Sequence, residues 1–325
     1  IAVRQKDFGI WKPLGWAGYF ARASHVGLGL TTLGLGEKGH VAVLSENRIE
    51  WVLAQLGAGL VGAVTVGVYA TSPAVEVAYV LEHCDAEIVV CEDQEQVDKV
   101  LEKHAELPRL KRIVVIETKG MRSYPADLVI SFAALEELGR AAEKDHPHLI
   151  EERLARQTLA DIGLMIYTSG STGRPKGAML SWRNLRGQAI AVIERLGLDG
   201  DTSHLSYLPL CHVAEQMLTT VAPLHLGSRI DFGESLRTVQ EDLREVAPSM
   251  FLGVPRIWEK LASSIHIKLM EAGGVRRWLF DRCYAACEPF AEVPRQSRSL
   301  GQKATAAFAH VLVFRALLNF IGLRR

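Results

Sequence analysis

Residues 41–70, VAVLSENRIEWVLAQLGAGLVGAVTVGVYA, set the class of fold because a strand pattern, a helix pattern and a second strand pattern follow one another. The run VAVLS is apolar and β-branched, which is typical of a buried strand. Asn47 and Glu50, three residues apart, predict a capping box at the start of a helix. Valines then alternate from residue 64 and indicate another buried strand. The stretch therefore predicts a β-α-β unit.

The uncharged part of this stretch, residues 52–70, is also just long enough to cross a bilayer. Its four glycines and its change from a helical to an alternating period favour a buried helix that runs into a buried strand. The pattern therefore favours a core element over a membrane span. The apolar stripe of the predicted helix consists of Ile49, Val52, Leu53, Leu56 and Leu60.

Strand and helix patterns continue to alternate along the chain, which predicts an α/β fold with doubly wound, largely parallel sheets flanked by helices. The polar stretch at 140–157 suggests sublobes of about 1–157 and 158–325. Further helices are expected from near Asp93, from Trp182 to about Leu196 behind a Ser181 cap, and from Pro255. Further strands are expected at AEIVVC (86–91), RIVVI (112–116), GLMIY (163–167), AMLS (178–181), SRIDF (228–232) and PSMFLGV (248–254).

Charge and cysteine content bound the class of protein. The 325 residues include 37 Lys plus Arg and 37 Asp plus Glu, so no overall field attracts nucleic acid and any anion site must be local. The five cysteines form no CxxC pair, and the first residues lack the pattern of a secretory signal. These features predict a reduced, cytoplasmic location.

Residues 166–180, IYTSGSTGRPKGAML, combine hydroxyls, glycines and cations between two apolar runs. A polar turn would explain this composition. However, no acidic residue lies between Asp161 and Glu194. That window holds four cations, which favours an anion-binding loop. The cations are Arg174, Lys176, Arg183 and Arg186.

The spacing of this stretch excludes a Walker loop, because Pro175 and Gly177 flank Lys176 where that motif needs a glycine and a hydroxyl. The apolar flanks predict a strand, a loop and a second strand. Glycines would let the backbone approach a ligand, and the hydroxyls would donate to phosphate oxygens.

The segment YTSGSTGRPKGAML resembles the phosphate-binding signature of the adenylate-forming superfamily, whose members use ATP to activate a carboxylate as an acyl-adenylate. The resemblance implies that this loop holds the pyrophosphate portion of ATP, with Thr168 close to Mg²⁺. The implied nucleotide-contacting residues are Thr168, Ser169, Gly170, Ser171, Thr172, Gly173 and Lys176.

Four further segments resemble the long-chain fatty acyl-CoA synthetases: GIWKPLGWAGYF, LSENRIEWVLAQLGAGLVGAVTVGVYATSP, SYLPLCHVAEQ and FLGVPRIWEKL. This implies a long-chain fatty acid, ATP and CoA as substrates with Mg²⁺ as cofactor. Two alternatives stay open. One is another adenylate-forming ligase with a different carboxylate or a carrier-protein acceptor. The other is a non-catalytic nucleotide- or acyl-binding protein.

His212 and Lys176 are the residues that the resemblance implies in catalysis. His212 matches the PLxH position, which lies near the carboxylate being activated, where a hydrogen-bond donor could offset developing charge. Neighbouring Cys211 could suggest a Cys/His nucleophile pair. Adjacent residues on an extended segment point to opposite faces, however, and the implied reaction needs no enzyme nucleophile.

The family's YGxTE and TGD segments, and its C-terminal domain with a catalytic lysine, have no counterpart in the 325 residues. The resemblance thus implies the N-terminal portion of an adenylation domain, which alone should not complete adenylation. The ending AFAHVLVFRALLNFIGLRR is either an interfacial helix or a core helix, so peripheral membrane association stays open.

Overall fold

The computed structural model describes residues 1–168 and 173–324. The chain divides into two compact units, one of residues 1–202 and 206–234, the other of 203–205 and 235–325. This division differs from the sublobe boundary predicted near 157. The reason is that the strand beginning at Ile162 pairs with the strand at Val64–Val68, inside the first unit.

Eleven strands lie in the described part of the chain. In the first unit, a seven-stranded sheet has the order β7-β6-β5-β3-β4-β8-β9, and β1 pairs with β11 and β2. The strands are β1 Val3–Asp7, β2 Ile10–Leu14, β3 His40–Leu44, β4 Val64–Val68, β5 Ala86–Cys91, β6 Arg112–Val115, β7 Val129–Ser131, β8 Ile162–Thr168, β9 Lys176–Ser181, β10 Ser203–Ser206 and β11 Arg229–Phe232.

The helices connect these strands in the first unit and dominate the second. They are α1 Trp16–Thr32, α2 Ile49–Leu60, α3 Ala74–His83, α4 Gln94–Glu102, α5 Phe132–Asp145, α6 Leu149–Arg156, α7 Trp182–Leu196, α8 Val213–Gln216, α9 Ala222–Leu226, α10 Val239–Val246, α11 Pro255–Glu271, α12 Gly274–Cys287, α13 Leu300–Ala309 and α14 Arg315–Ile321.

The large sheet confirms the predicted fold class. All its strands run parallel except β9, which is antiparallel to β8. The run at 52–70 forms most of α2 and all of β4, and Val52 and Val66 there are completely buried. This stretch is therefore part of the core, as its change of period predicts.

Helix α1 packs against α5 through two glycines. A β-carbon on Gly139 of α5 would lie 1.6 Å from the His25 carbonyl oxygen, and one on Gly29 of α1 would lie 2.3 Å from the Leu135 carbonyl oxygen. Each glycine thus admits the backbone of the other helix.

One strand prediction for the second unit is wrong. The segment PSMFLGV forms no strand; only Met250 makes a single bridge, to His204. The predicted helix from Pro255 is confirmed as α11. Within the described residues, one helical stretch, Leu300–Ile321, is long and apolar enough by length and composition to cross a membrane.

Candidate active site

The glycine-rich stretch lies between two antiparallel strands, so the two strands predicted on either side of it are confirmed. In the β8–β9 register Thr168 lies directly opposite Lys176, and both are exposed. Directly opposed side chains on an antiparallel pair lie on the same face, about 5 Å apart at their β-carbons. The hairpin therefore presents a hydroxyl and an ammonium group together. The predicted contacts Ser169, Gly170, Ser171 and Thr172 lie outside the described residues.

Two glycines determine the path of the backbone around the start of β9. Gly173 has a φ of +111°, a conformation that L side chains rarely adopt. A β-carbon on Gly177 would lie 2.8 Å from the Met165 sulfur and 3.1 Å from Tyr167 Cζ. The backbone at Gly177 therefore packs directly on β8 and fixes the position of neighbouring Lys176.

Helix α3 anchors the hairpin through aromatic side chains that no sequence motif singles out. The Tyr79 hydroxyl donates to the Pro175 carbonyl at 3.0 Å, and the Arg174 guanidinium lies 5.1 Å from the Tyr79 ring centre. One turn later, His83 Nδ1 and the Tyr167 hydroxyl are 2.7 Å apart. Burial raises the pKa of the Tyr167 phenol, which keeps it neutral. Both strands of the hairpin are thus tied to α3.

On the ATP-binding role that the sequence resemblance implies for this hairpin, the variant Tyr79→Phe should raise the KM for ATP about three- to tenfold and leave kcat nearly unchanged. It removes one neutral hydrogen bond, of about 1 kcal/mol, from the residue that precedes Lys176. Steady-state kinetics of the complete gene product measure this effect. Tyr124→Phe is the matched control, because it removes a tyrosine bond to Asp98 elsewhere. Equal KM changes in both variants would refute the anchoring role.

His212 lies at the N-cap of α8 and is exposed, whereas neighbouring Cys211 is buried. Cys211 passes so close to β4 that a β-carbon on Gly67 would lie 2.8 Å from its α-carbon. Gly67 pairs with Ile166 of β8, two residues before Thr168. The segment that carries His212 therefore passes over β4, which is the strand next to β8. Because β4 and β8 are parallel, both strands end at the same edge of the sheet.

Burial of Cys211 raises the pKa of its thiol to about 12, although a hydrogen bond with Tyr69 partly offsets the shift. At pH 8 only about 10⁻⁴ of such a thiol is ionised. We expect iodoacetamide to leave Cys211 unmodified under conditions that label half-buried Cys287, as peptide mass spectrometry would detect. Labelling of Cys211 at the rate of a free thiol would instead support a nucleophile pair of Cys211 and His212.

A charged cluster holds the turn after β3. Arg48 contacts Glu92 at 3.3 Å and Glu117 at 2.6 Å, and Glu92 also accepts from the Glu46 amide at 2.8 Å. Burial alone would lower the Arg48 pKa, but the hydrogen bond to Glu117 and the charges of Glu50 and Glu92 raise it. The guanidinium therefore stays charged and the turn keeps its shape.

The same turn corrects a sequence prediction. Arg48, not Asn47, is the N-cap residue of α2, and it makes no side-chain cap bond. Asn47 instead bonds to the segment that leads to His212. The spacing of Asn47 from Glu50 predicts a helix cap instead. The true partners of Asn47 lie 159 and 161 residues away, so no local pattern indicates them.

The fold defines a class, the α/β proteins with a largely parallel sheet flanked by helices, and the exposed Thr168 and Lys176 lie at the carboxyl edge of that sheet. The particular family follows from comparison with known proteins. The model of the AMP-binding enzyme family matches residues 1–302. The chain therefore belongs to the AMP-binding enzyme family.

Curated relatives point to one branch of that family. The chain is 31% identical over 285 residues to the long-chain-fatty-acid–CoA ligase ACSBG2 of Xenopus laevis, covering 85% of this chain and 38% of that protein. Human ACSBG2 is 31% identical over 284 residues, with 86% and 42% covered. The chain thus spans about two fifths of the length of these two relatives.

Solved structures support the fold. ATP-bound MatB from Rhodopseudomonas palustris superposes with a TM-score of 0.63 at 20% identity, over 80% of this chain and 47% of that one. The anthranilate CoA ligase AuaEII, in complex with anthranoyl-AMP, gives 0.64 at 23% identity, over 77% and 46%. The chain therefore shares the fold of these two solved structures.

Proposed function

We propose that this chain is part of an ATP-dependent long-chain fatty acid:CoA ligase. The observation that carries the proposal is the hairpin in which Thr168 and Lys176 stand opposite each other, both exposed, in a stretch without acidic residues. Similarity to long-chain-fatty-acid–CoA ligases over 85% of the chain supports the choice of substrate.

In this proposal the hairpin binds the β- and γ-phosphates of ATP. The Lys176 ammonium supplies a point charge, and the positive φ of Gly173 lets the backbone turn toward the phosphates. No group of three or more His, Cys, Asp or Glu residues in the described ranges could hold a metal ion. Mg²⁺ is commonly held by few protein ligands together with phosphate oxygens, so the Thr168 hydroxyl fits as a single protein ligand.

The proposed reaction has two steps. A fatty acid carboxylate oxygen attacks the α-phosphorus of ATP, the bond to the bridging oxygen breaks, and pyrophosphate leaves. The CoA thiolate then attacks the acyl carbon, and AMP leaves. The chain's own contribution to the first step is positioning and charge stabilisation, with Lys176 on the leaving pyrophosphate and His212 as a donor near the carboxylate.

The test is ATP–pyrophosphate exchange by the complete gene product with palmitate, octanoate, malonate and anthranilate, followed by assay of thioester formation with CoA. We expect exchange to depend on palmitate and AMP release to depend on CoA. Exchange with malonate or anthranilate alone would indicate another adenylate-forming ligase. ATP binding without exchange for any acid would indicate a nucleotide-binding protein.

We further propose a cytoplasmic location with peripheral contact to membranes. The motivation is the apolar helical stretch Leu300–Ile321, in which Phe308 and Val311 are 67% and 69% exposed. Liposome flotation of the complete gene product tests it. Phe308→Asp should reduce the floating fraction severalfold; equal flotation of the parent and the variant would remove the membrane contact.

A further inference from the structure

The segment from Tyr207 to His212, which follows β10, is irregular, yet it carries the residue to which the proposed function assigns a donor role. An exposed imidazole on an irregular segment keeps one orientation only if the backbone beneath it is fixed. Two side chains from different parts of the first unit, Asn47 and Gln216, fix this backbone.

Asn47 makes the largest number of these contacts. Its Nδ2 donates to Ser206 Oγ at 2.8 Å and to the Leu208 carbonyl at 2.6 Å, and its Oδ1 accepts from the Leu210 amide at 3.0 Å. Both Nδ2 hydrogens and the Oδ1 oxygen of Asn47 therefore form hydrogen bonds to residues between Ser206 and Leu210.

Gln216 holds the same segment from the other side. Its Nε2 donates to the Leu210 carbonyl at 2.6 Å, while its Oε1 accepts from Gln55 Nε2 at 2.8 Å. Gln216 is fully buried, so the loss of these bonds would leave an unpaired polar group in the core. Leu210 is thus held at its amide by Asn47 and at its carbonyl by Gln216.

The imidazole itself has a defined hydrogen-bond donor next to it. The Ala214 amide donates to His212 Nδ1 at 3.3 Å. In a neutral imidazole the nitrogen that accepts carries no proton, so Nε2 carries it. The N-cap position therefore presets His212 to offer Nε2–H as a donor.

We propose that Asn47 is a positioning residue that keeps His212 at the N-cap of α8 and so sets its Nε2–H tautomer. The Asn47 side chain bonds to Ser206, Leu208 and Leu210 rather than to the imidazole. Its effect on catalysis passes through His212, and in that respect the inference rests on the proposed function.

The first test needs no substrate. Long-range ¹H–¹⁵N spectra of the 325-residue chain at pH 8 distinguish the two neutral tautomers, and His212→Gln assigns the signal. We expect a single Nε2–H form in the parent chain and a mixture in Asn47→Ala. Asn47→Asp, which keeps the acceptor for Leu210, should give a smaller change if the alanine variant folds poorly.

The matched control is Asn184→Ala, which removes an asparagine from the capping box of α7. It should leave the His212 signal unchanged. An unchanged Nε2–H signal in folded Asn47→Ala, or an equal change in Asn184→Ala, would overturn the proposal whatever reaction the protein catalyses.

The second test is a double-mutant cycle in the complete gene product. Asn47→Ala should lower kcat about tenfold and change the KM for ATP less than twofold. In the His212→Ala background the same substitution should cost less than twofold, because its target is gone. Equal losses in both backgrounds would show that Asn47 acts on general stability instead. A protein that forms no adenylate would refute the proposed function, and the tautomer measurement alone would then decide the role of Asn47.

Discussion

The substitution Lys176→Ala should lower kcat/KM for the proposed adenylation by the complete gene product about 10²- to 10³-fold, the range that single charge-stabilising donors contribute in other enzymes. Lys176 lies at the first position of β9, opposite Thr168, and is exposed. Its charge is therefore accessible to a phosphate that binds from solvent. Pyrophosphate exchange at subsaturating ATP measures the loss.

Arg195→Ala is the matched control for Lys176→Ala. Arg195 is exposed near the end of α7, and its removal changes the net charge by the same amount. We expect less than a twofold effect, because exposed charges more than about 10 Å from a ligand are screened by salt. If both variants lose activity equally, the hairpin makes no specific contact and only the overall field matters.

The substitution Gly139→Ala should destabilise the chain by about 2–3 kcal/mol, although alanine is the better helix former. Its β-carbon would lie 1.6 Å from the His25 carbonyl oxygen, so α1 and α5 must separate. Separation exposes apolar surface along both helices and disturbs Gly29, which packs on Leu135 in the same interface. Urea denaturation followed by circular dichroism gives the change in the free energy of unfolding.

Gly187→Ala provides a control of opposite sign. Gly187 lies inside α7, and an added β-carbon would meet no atom within 4 Å. The substitution should stabilise the chain by up to about 1 kcal/mol through helix propensity alone. If Gly139→Ala also stabilises, the close approach of α1 and α5 is wrong.

Elements that depend on local patterns could be predicted from the sequence. Ser181 caps α7 in a full capping box with Asn184, and the helix ends at Leu196 as expected. Asp93 accepts from the Gln96 amide at the start of α4, also as expected. In these cases the residues that determine the structure lie within one helical turn of each other.

Elements that depend on distant partners could not be predicted. The segment PSMFLGV has strand composition, but only Met250 makes a bridge, so tertiary context overrides its propensity. Asn47 looks like a cap residue and instead bonds to residues far along the chain. Gly139 carries no local sign that another helix packs on it.

The candidate site shows the same division. The glycine-rich stretch indicates an anion site through its lack of acids, and the strand pairing that opposes Thr168 to Lys176 follows from its apolar flanks. The supports of the hairpin, Tyr79 and His83, come from α3, where their spacing equals that of ordinary core residues. Sequence patterns therefore reveal the proposed ligand-binding residues better than the residues that support them.

Binding of the ATP phosphates by the Thr168–Lys176 hairpin can be tested without measuring turnover. Lysine acetylation of the complete gene product, followed by peptide mass spectrometry, compares labelling with and without saturating MgATP. We predict that MgATP slows labelling of Lys176 at least about tenfold, since a bound phosphate blocks the ammonium, and leaves Lys38, whose side chain is 80% exposed, unchanged. Equal labelling of Lys176 with and without MgATP would contradict phosphate binding at this hairpin.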